Sequence, residues 1–91
     1  MAKVIIYEKD GEIVLSGTRR ALKIFEQTAR VGMFYNGRLC ISYMSMAENR
    51  GVNPEEFKKI LLKHIRGHLI ALESAYRLMN EPLEIEWRVN G

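Results

Sequence analysis

The sequence predicts an α+β domain. It is a two-layer sandwich whose mostly antiparallel sheet carries two helices on one face, in the order ββαββαβ. Three observations carry that prediction. Two tight-turn dipeptides, Asp10-Gly11 and Asn36-Gly37, each separate β-prone runs. The segment from Asn53 to Asn80 keeps a helical apolar period. The segment from Leu83 to Val89 alternates apolar and charged residues.

The first hairpin joins Val4–Tyr7 to Ile13–Leu15 through Asp10-Gly11. Ser16 or Thr18 then caps a helix that runs to about Arg30 and is ended by Gly32, with Ala21, Leu22, Phe25 and Ala29 on its core side. Asn36-Gly37 turns the chain between Val31–Tyr35 and Arg38–Met46. Ala47 to Val52 reads as a polar connection.

The long helix follows. Asn53 is its N-cap, Pro54 fits the first position, and Glu55 and Glu56 suit the positive end of the dipole. Phe57, Leu61, Ile65, Leu69, Leu72, Ala75, Tyr76 and Met79 fall on one arc, and Lys59, Lys63, Arg66, Glu73 and Arg77 fall opposite. Pro82 opens the last strand. Its Leu83, Ile85, Trp87 and Val89 face one side, and Glu84, Glu86 and Arg88 face the other.

The chain of 91 residues is 47% hydrophobic and 27% charged, which fits one folded domain over residues 1–91 and argues against disorder. Cys40 is the single cysteine, so no internal disulfide forms and a reducing, cytoplasmic location is expected. The first apolar run is too short for a signal peptide, and no run approaches a membrane span. Ten Glu against one Asp, with a single Gln, leans towards a thermophilic source.

The net charge of +3 is concentrated in the middle. Between Thr18 and Arg50 six bases face two acids, a balance of +4. Arg19, Lys23, Gln27 and Arg30 recur at helical spacing along one face of the first helix with Arg20 beside them, as a stripe that tracks a phosphate backbone would. Glu26 dilutes it, and the plainer reading is a solvated helix face. Ser16-Gly17-Thr18-Arg19-Arg20 sits between strand and helix, where free N–H groups favour an anion. Its glycine spacing is not that of a P-loop.

His64 and His68 fall inside the apolar arc, one turn apart, so at least one is expected to be mostly buried, with its charged form disfavoured. The spacing suits a shared zinc ion, but a stable site needs a third and fourth ligand, and Cys40 is the only other soft candidate. Ile65 stands where a metalloprotease would carry Glu. No metal and no cofactor is therefore expected. Packed, hydrogen-bonded rings are the plainer reading. A lone Cys40 in a strand reads as a small buried hydrophobe. Gly67 in mid-helix hints at close approach of another backbone.

If Leu39, Ile41 and Tyr43 face the helices, then Ile5, Tyr7, Met44 and Met46 form an apolar row on the bare face of the sheet. Such a patch predicts a homodimer. The function expected is a small non-enzymatic binding or regulatory module that contacts nucleic acid through Arg19, Arg20, Lys23 and Arg30. One alternative is a small nuclease or phosphoester hydrolase using His64 or His68 as acid/base, with Arg19, Arg20 or Arg66 on the phosphate. The other is a protein-interaction subunit of a larger assembly.

Overall fold

The computed structural model describes residues 1–90. Five strands and three helices follow in the order β1 (Ala2–Lys9), β2 (Glu12–Gly17), α1 (Arg19–Ala29), β3 (Met33–Tyr35), β4 (Arg38–Ile41), α2 (Tyr43–Arg50), α3 (Pro54–Leu78) and β5 (Leu83–Trp87). The class is α+β, but the order is ββαββααβ, with one helix more than the sequence predicts.

Both hairpins form where the turn dipeptides stand. Asp10 and Gly11 take φ of 50° and 78°, and Asn36 and Gly37 take 51° and 75°. Positive φ at both central residues gives the type I′ twist that matches paired strands. Lys9 faces Glu12 across the first turn, and Tyr35 faces Arg38 across the second.

The strand expected over Arg38–Met46 stops at Ile41. Ser42 breaks it, because its side chain accepts a bond from Ser45 N–H (3.4 Å) and caps α2. Gly51, in the left-handed region at φ 65°, closes that helix through Ala47 and Glu48 carbonyls. The expected polar connection over Ala47–Val52 is thus mostly helix. Only Tyr43 and Ala47 of α2 are buried, one turn apart. Met44 and Met46 therefore ride on α2, and the apolar row expected with Ile5 and Tyr7 does not exist as one sheet face.

Gly17 lies between β2 and α1 at φ 130°, and a Cβ there would sit 2.0 Å from the Lys3 carbonyl oxygen. Only glycine permits that approach. The Thr18 N–H donates to the same carbonyl (2.8 Å), and the Lys3 N–H donates to Thr18 Oγ1 (2.9 Å). Thr18 is the N-cap position of α1, yet its side chain serves β1 rather than the helix. Arg30, not Gly32, ends α1, in a left-handed conformation with its N–H on the Glu26 carbonyl (2.9 Å).

The long helix begins as its residues dictate. Asn53 Oδ1 accepts from the Glu56 N–H (3.1 Å), and Pro54 takes the first turn. Leu61, Leu62, Ile65, Leu69, Leu72 and Tyr76 are buried along it. β5 ends at Trp87, two residues before the expected Val89.

The sheet order is β3-β4-β2-β1-β5. Three neighbouring pairs are antiparallel, and β1–β5 is parallel, from Ala2 opposite Leu83 to Ile6 opposite Trp87. The sheet is therefore mixed. The crossover that parallel pairing requires is the whole stretch from β2 to α3.

Val4, Ile6, Ile13, Leu15, Leu39 and Ile41 line one sheet face and meet Leu22 and Phe25 of α1, Tyr43 of α2 and Ile65, Leu69 and Tyr76 of α3. Each such fully buried apolar side chain contributes about 1.5–3 kcal/mol. Ile5, Tyr7, Val14 and Cys40 alternate with them onto the other face.

Candidate functional site

The basic stripe sits on α1. Ala21, Leu22, Phe25 and Ala29 turn inward, which leaves Arg19, Lys23 and Arg30 exposed on the solvent side. None of the three forms an ion pair among the described residues. Arg20 is different. Its guanidinium donates to Glu81 (3.1 Å) and lies over the Tyr76 ring at 5.9 Å, so it ties α1 to the end of α3. Because Thr18 turns to β1, the first N–H groups of α1 have no side-chain cap and stand open beside Arg19.

The two histidines are on α3, on the flank facing α1. Neither is buried, against the sequence expectation: His64 is exposed and His68 half-buried. The apolar arc is wide, and its edge lies against α1 rather than in the core. The rings meet edge to face at 4.5 Å between centroids, and His68 meets Phe25 at 6.3 Å. His64 Nε2 lies 3.1 Å from the Ala29 carbonyl oxygen at the end of α1. A carbonyl only accepts, so Nε2 is the donor in this contact.

Among the described residues no carboxylate bonds either ring, so none orients them as an acid/base pair. The arginines considered with them lie elsewhere. Arg20 is beside Tyr76, twelve residues along α3 from His64, or about 18 Å at 1.5 Å per residue. Arg66 stacks over Trp87 at 4.3 Å on the opposite flank of α3. Among the described residues no three His, Cys, Asp or Glu side chains gather as a metal-binding group.

Two features are invisible in the sequence. One is the Glu8–Tyr43–Lys58 cluster. The Tyr43 hydroxyl donates to Glu8 Oε2 (2.5 Å), and Lys58 Nζ donates to Glu8 Oε1 (3.2 Å) and pairs with Glu55 (3.4 Å). The Tyr43 bond, reinforced by Lys58 against the opposing effect of burial, holds the Glu8 carboxyl below its ordinary value. The same bond, with burial, pushes the Tyr43 phenol up. Burial pulls Lys58 down, but its bonds to Glu8 and Glu55 outweigh that and leave it raised. The three residues come from β1, α2 and α3, so no local pattern announces them.

The other is an open cleft of roughly 570 Å³ between the β3–β4 hairpin and α2, lined in part by Met33, Phe34, Tyr35, Cys40 and Met46. β3 is the outermost strand, and all three of its residues are exposed, Met33 at 77% and Tyr35 at 71%. Burial raises the Cys40 thiol, which keeps it protonated and a poor nucleophile. Among the described residues no helix is long and apolar enough to cross a membrane. Comparison with protein-family models, curated proteins and solved structures finds no match.

Proposed function

We propose that the chain is a small non-enzymatic binding module, working as a homodimer, that contacts nucleic acid through Arg19, Lys23 and Arg30. The observation that carries this reading is the state of those three cations: exposed, along α1 and at its C-terminal end, without an ion-pair partner among the described residues. The uncapped N-terminus of α1 adds N–H donors for a phosphate at one end of the stripe. Arg20 stays in the reading as a flanking charge, although Glu81 neutralises it. Binding through phosphates alone is weak and indifferent to sequence. A reducing cytoplasm and a thermophilic source belong to the same proposal, resting on the single Cys40 and the excess of Glu over Asp.

The test is fluorescence anisotropy with labelled duplex DNA and RNA at several salt concentrations. Three phosphate contacts give a log–log salt slope of about −2.7 per protomer on duplex DNA. A variant with Arg19, Lys23 and Arg30 changed to Glu loses binding. Absence of binding at low salt, or an unaffected variant, overturns the reading.

One observation favours a second reading, a protein-interaction subunit. The exposed edge strand β3, with the cleft beside it, offers unpaired backbone groups and side-chain pockets to an added strand of a partner. If the anisotropy test fails, this reading takes precedence.

A further inference from the structure

The β3–β4 hairpin exposes large side chains in an unbroken row. Met33 is 77% exposed, Phe34 38% and Tyr35 71%. Phe34 lies opposite the buried Leu39, and so on the helix side of the sheet. Met33 and Tyr35 lie on the other side, directly opposite Cys40 and Arg38. All three line the cleft of roughly 570 Å³ beside α2, within the range of about 300–1,000 Å³ usual for ligand pockets. Directly opposed residues on one sheet face have Cβ atoms about 4.5–5.5 Å apart. The Tyr35 ring and the Arg38 guanidinium are therefore neighbours. Yet Arg38 stacks on no ring and forms no ion pair among the described residues.

We propose that this hairpin holds an unstacked base of a single-stranded nucleic acid. Tyr35 is the stacking platform, the cleft beside it receives the base, and Arg38 and Arg30 take the adjoining phosphates. An exposed ring beside an unengaged cation is what single-strand binding uses, because every base has a π face and every link a charge. Arg30 brings the α1 stripe to the same place. It is exposed and forms no ion pair among the described residues, although Glu26 stands one turn before it. It stands three residues before Met33, at most about 11 Å of chain. A base inside a duplex is stacked on both faces and has none to give, so the hairpin selects single strands.

The acids at the cleft set the path of the strand. Glu12 is in its wall, and Glu48 precedes Asn49, another wall residue. Carboxylates repel phosphate, so the backbone follows Arg38 and Arg30 rather than α2. The Glu12 carboxylate and the Asn49 amide are left as hydrogen-bond partners for the base edge. An added strand of a protein partner is the weaker occupant of this hairpin. β3 has three residues, the short form that blunts edge pairing, and an added strand gives Arg30 and Arg38 no counter-charge.

This inference rests on the nucleic-acid part of the proposed function. Fluorescence anisotropy with labelled single strands of about 12 nucleotides, as DNA and as RNA, beside the duplex of the same sequence, tests both levels. We expect tighter binding to the single strands at equal salt. Tyr35→Ala should weaken single-strand binding about tenfold while duplex binding and the salt slope stay unchanged, because stacking releases no counterions. Tyr35→Phe should bind as wild type does. Arg38→Gln should reduce the single-strand slope by about 0.7. Circular dichroism of the variants should match wild type, since Tyr35 and Arg38 are exposed. Absence of binding to every probe overturns the nucleic-acid reading and this inference with it. Equal affinity for duplex and single strand, or single-strand binding indifferent to Tyr35→Ala, overturns only the base-stacking assignment. Displacement by a nucleoside monophosphate at the same concentration as by unlabelled strand overturns it too, and gives the cleft to a free nucleotide.

Discussion

The phenol of Tyr43 donates a 2.5 Å hydrogen bond to Glu8, joining the first residue of α2 to the end of β1 across 35 positions of sequence. Lys58 closes the same group from α3. Three elements that share no local signal are thereby held at one corner of the fold.

That corner makes stability depend on pH. The folded Glu8 carboxyl titrates below its ordinary value of 4.5, chiefly because Tyr43 bonds its charged form. Its contribution is complete above the unfolded value and is lost as pH falls through the folded one. Tyr43 itself is raised above 10.0, so its contribution is complete below that and fades at higher pH. Tyr43→Phe should cost about 1 kcal/mol at neutral pH. Urea melts between pH 2 and 7 should show a shallower acid limb for Tyr43→Phe than for wild type. Parallel limbs would mean that the bond is not formed in solution.

Gly17→Ala should destabilise far more than a loop substitution ordinarily does. Its φ of 130° and the Lys3 carbonyl 2.0 Å from the added methyl leave no room without moving backbone. A loss of about 3 kcal/mol or more is expected. Thermal denaturation by circular dichroism measures it, and a fall in Tm of only a degree or two refutes the geometry.

Tyr76→Phe should be neutral or stabilising. The Tyr76 hydroxyl is buried without a hydrogen-bond partner among the described residues, and the residue is 1% exposed. Removing an unsatisfied polar atom relieves about 1 kcal/mol of desolvation. A clear loss in chemical denaturation would reveal a partner for that oxygen.

The two helix caps should differ in strength. Asn53 caps the longest helix through a 3.1 Å bond, and Asn53→Ala should lose about 1 kcal/mol. Ser42 caps α2 at 3.4 Å, and Ser42→Ala should lose less than about 0.5 kcal/mol. Equilibrium unfolding of both variants checks the order, and an equal or reversed cost contradicts it.

Much of the fold is legible because its signals are local. Asp10-Gly11 and Asn36-Gly37 fix both hairpins, and Asn53-Pro54 fixes the start of α3. α2 is misread because a helix that buries only Tyr43 and Ala47 leaves almost no period to find. Its residues also continue the alternation of β4, which Ser42 ends by capping rather than by any change in hydrophobicity. The histidines are misplaced for a related reason. Periodicity gives an angle on α3 but not what packs beside it, and α1 meets that flank with the Ala29 carbonyl and Phe25 instead of sealing it. The pairing of Arg20 with Glu81 spans 61 positions, beyond the reach of any local pattern.

The parallel seam between β1 and β5 has a consequence for how the chain is made. β1 leaves the ribosome well before β5, its partner on that side. Until Leu83–Trp87 emerges, the edge formed by Ala2–Ile6 stays open while β2 is already paired on the other side. Closing that seam demands the longest loop closure in the sheet, which slows folding relative to the local hairpins. Translation speed over the α3 codons thus sets how long a bare, β-prone edge is offered to neighbouring nascent chains.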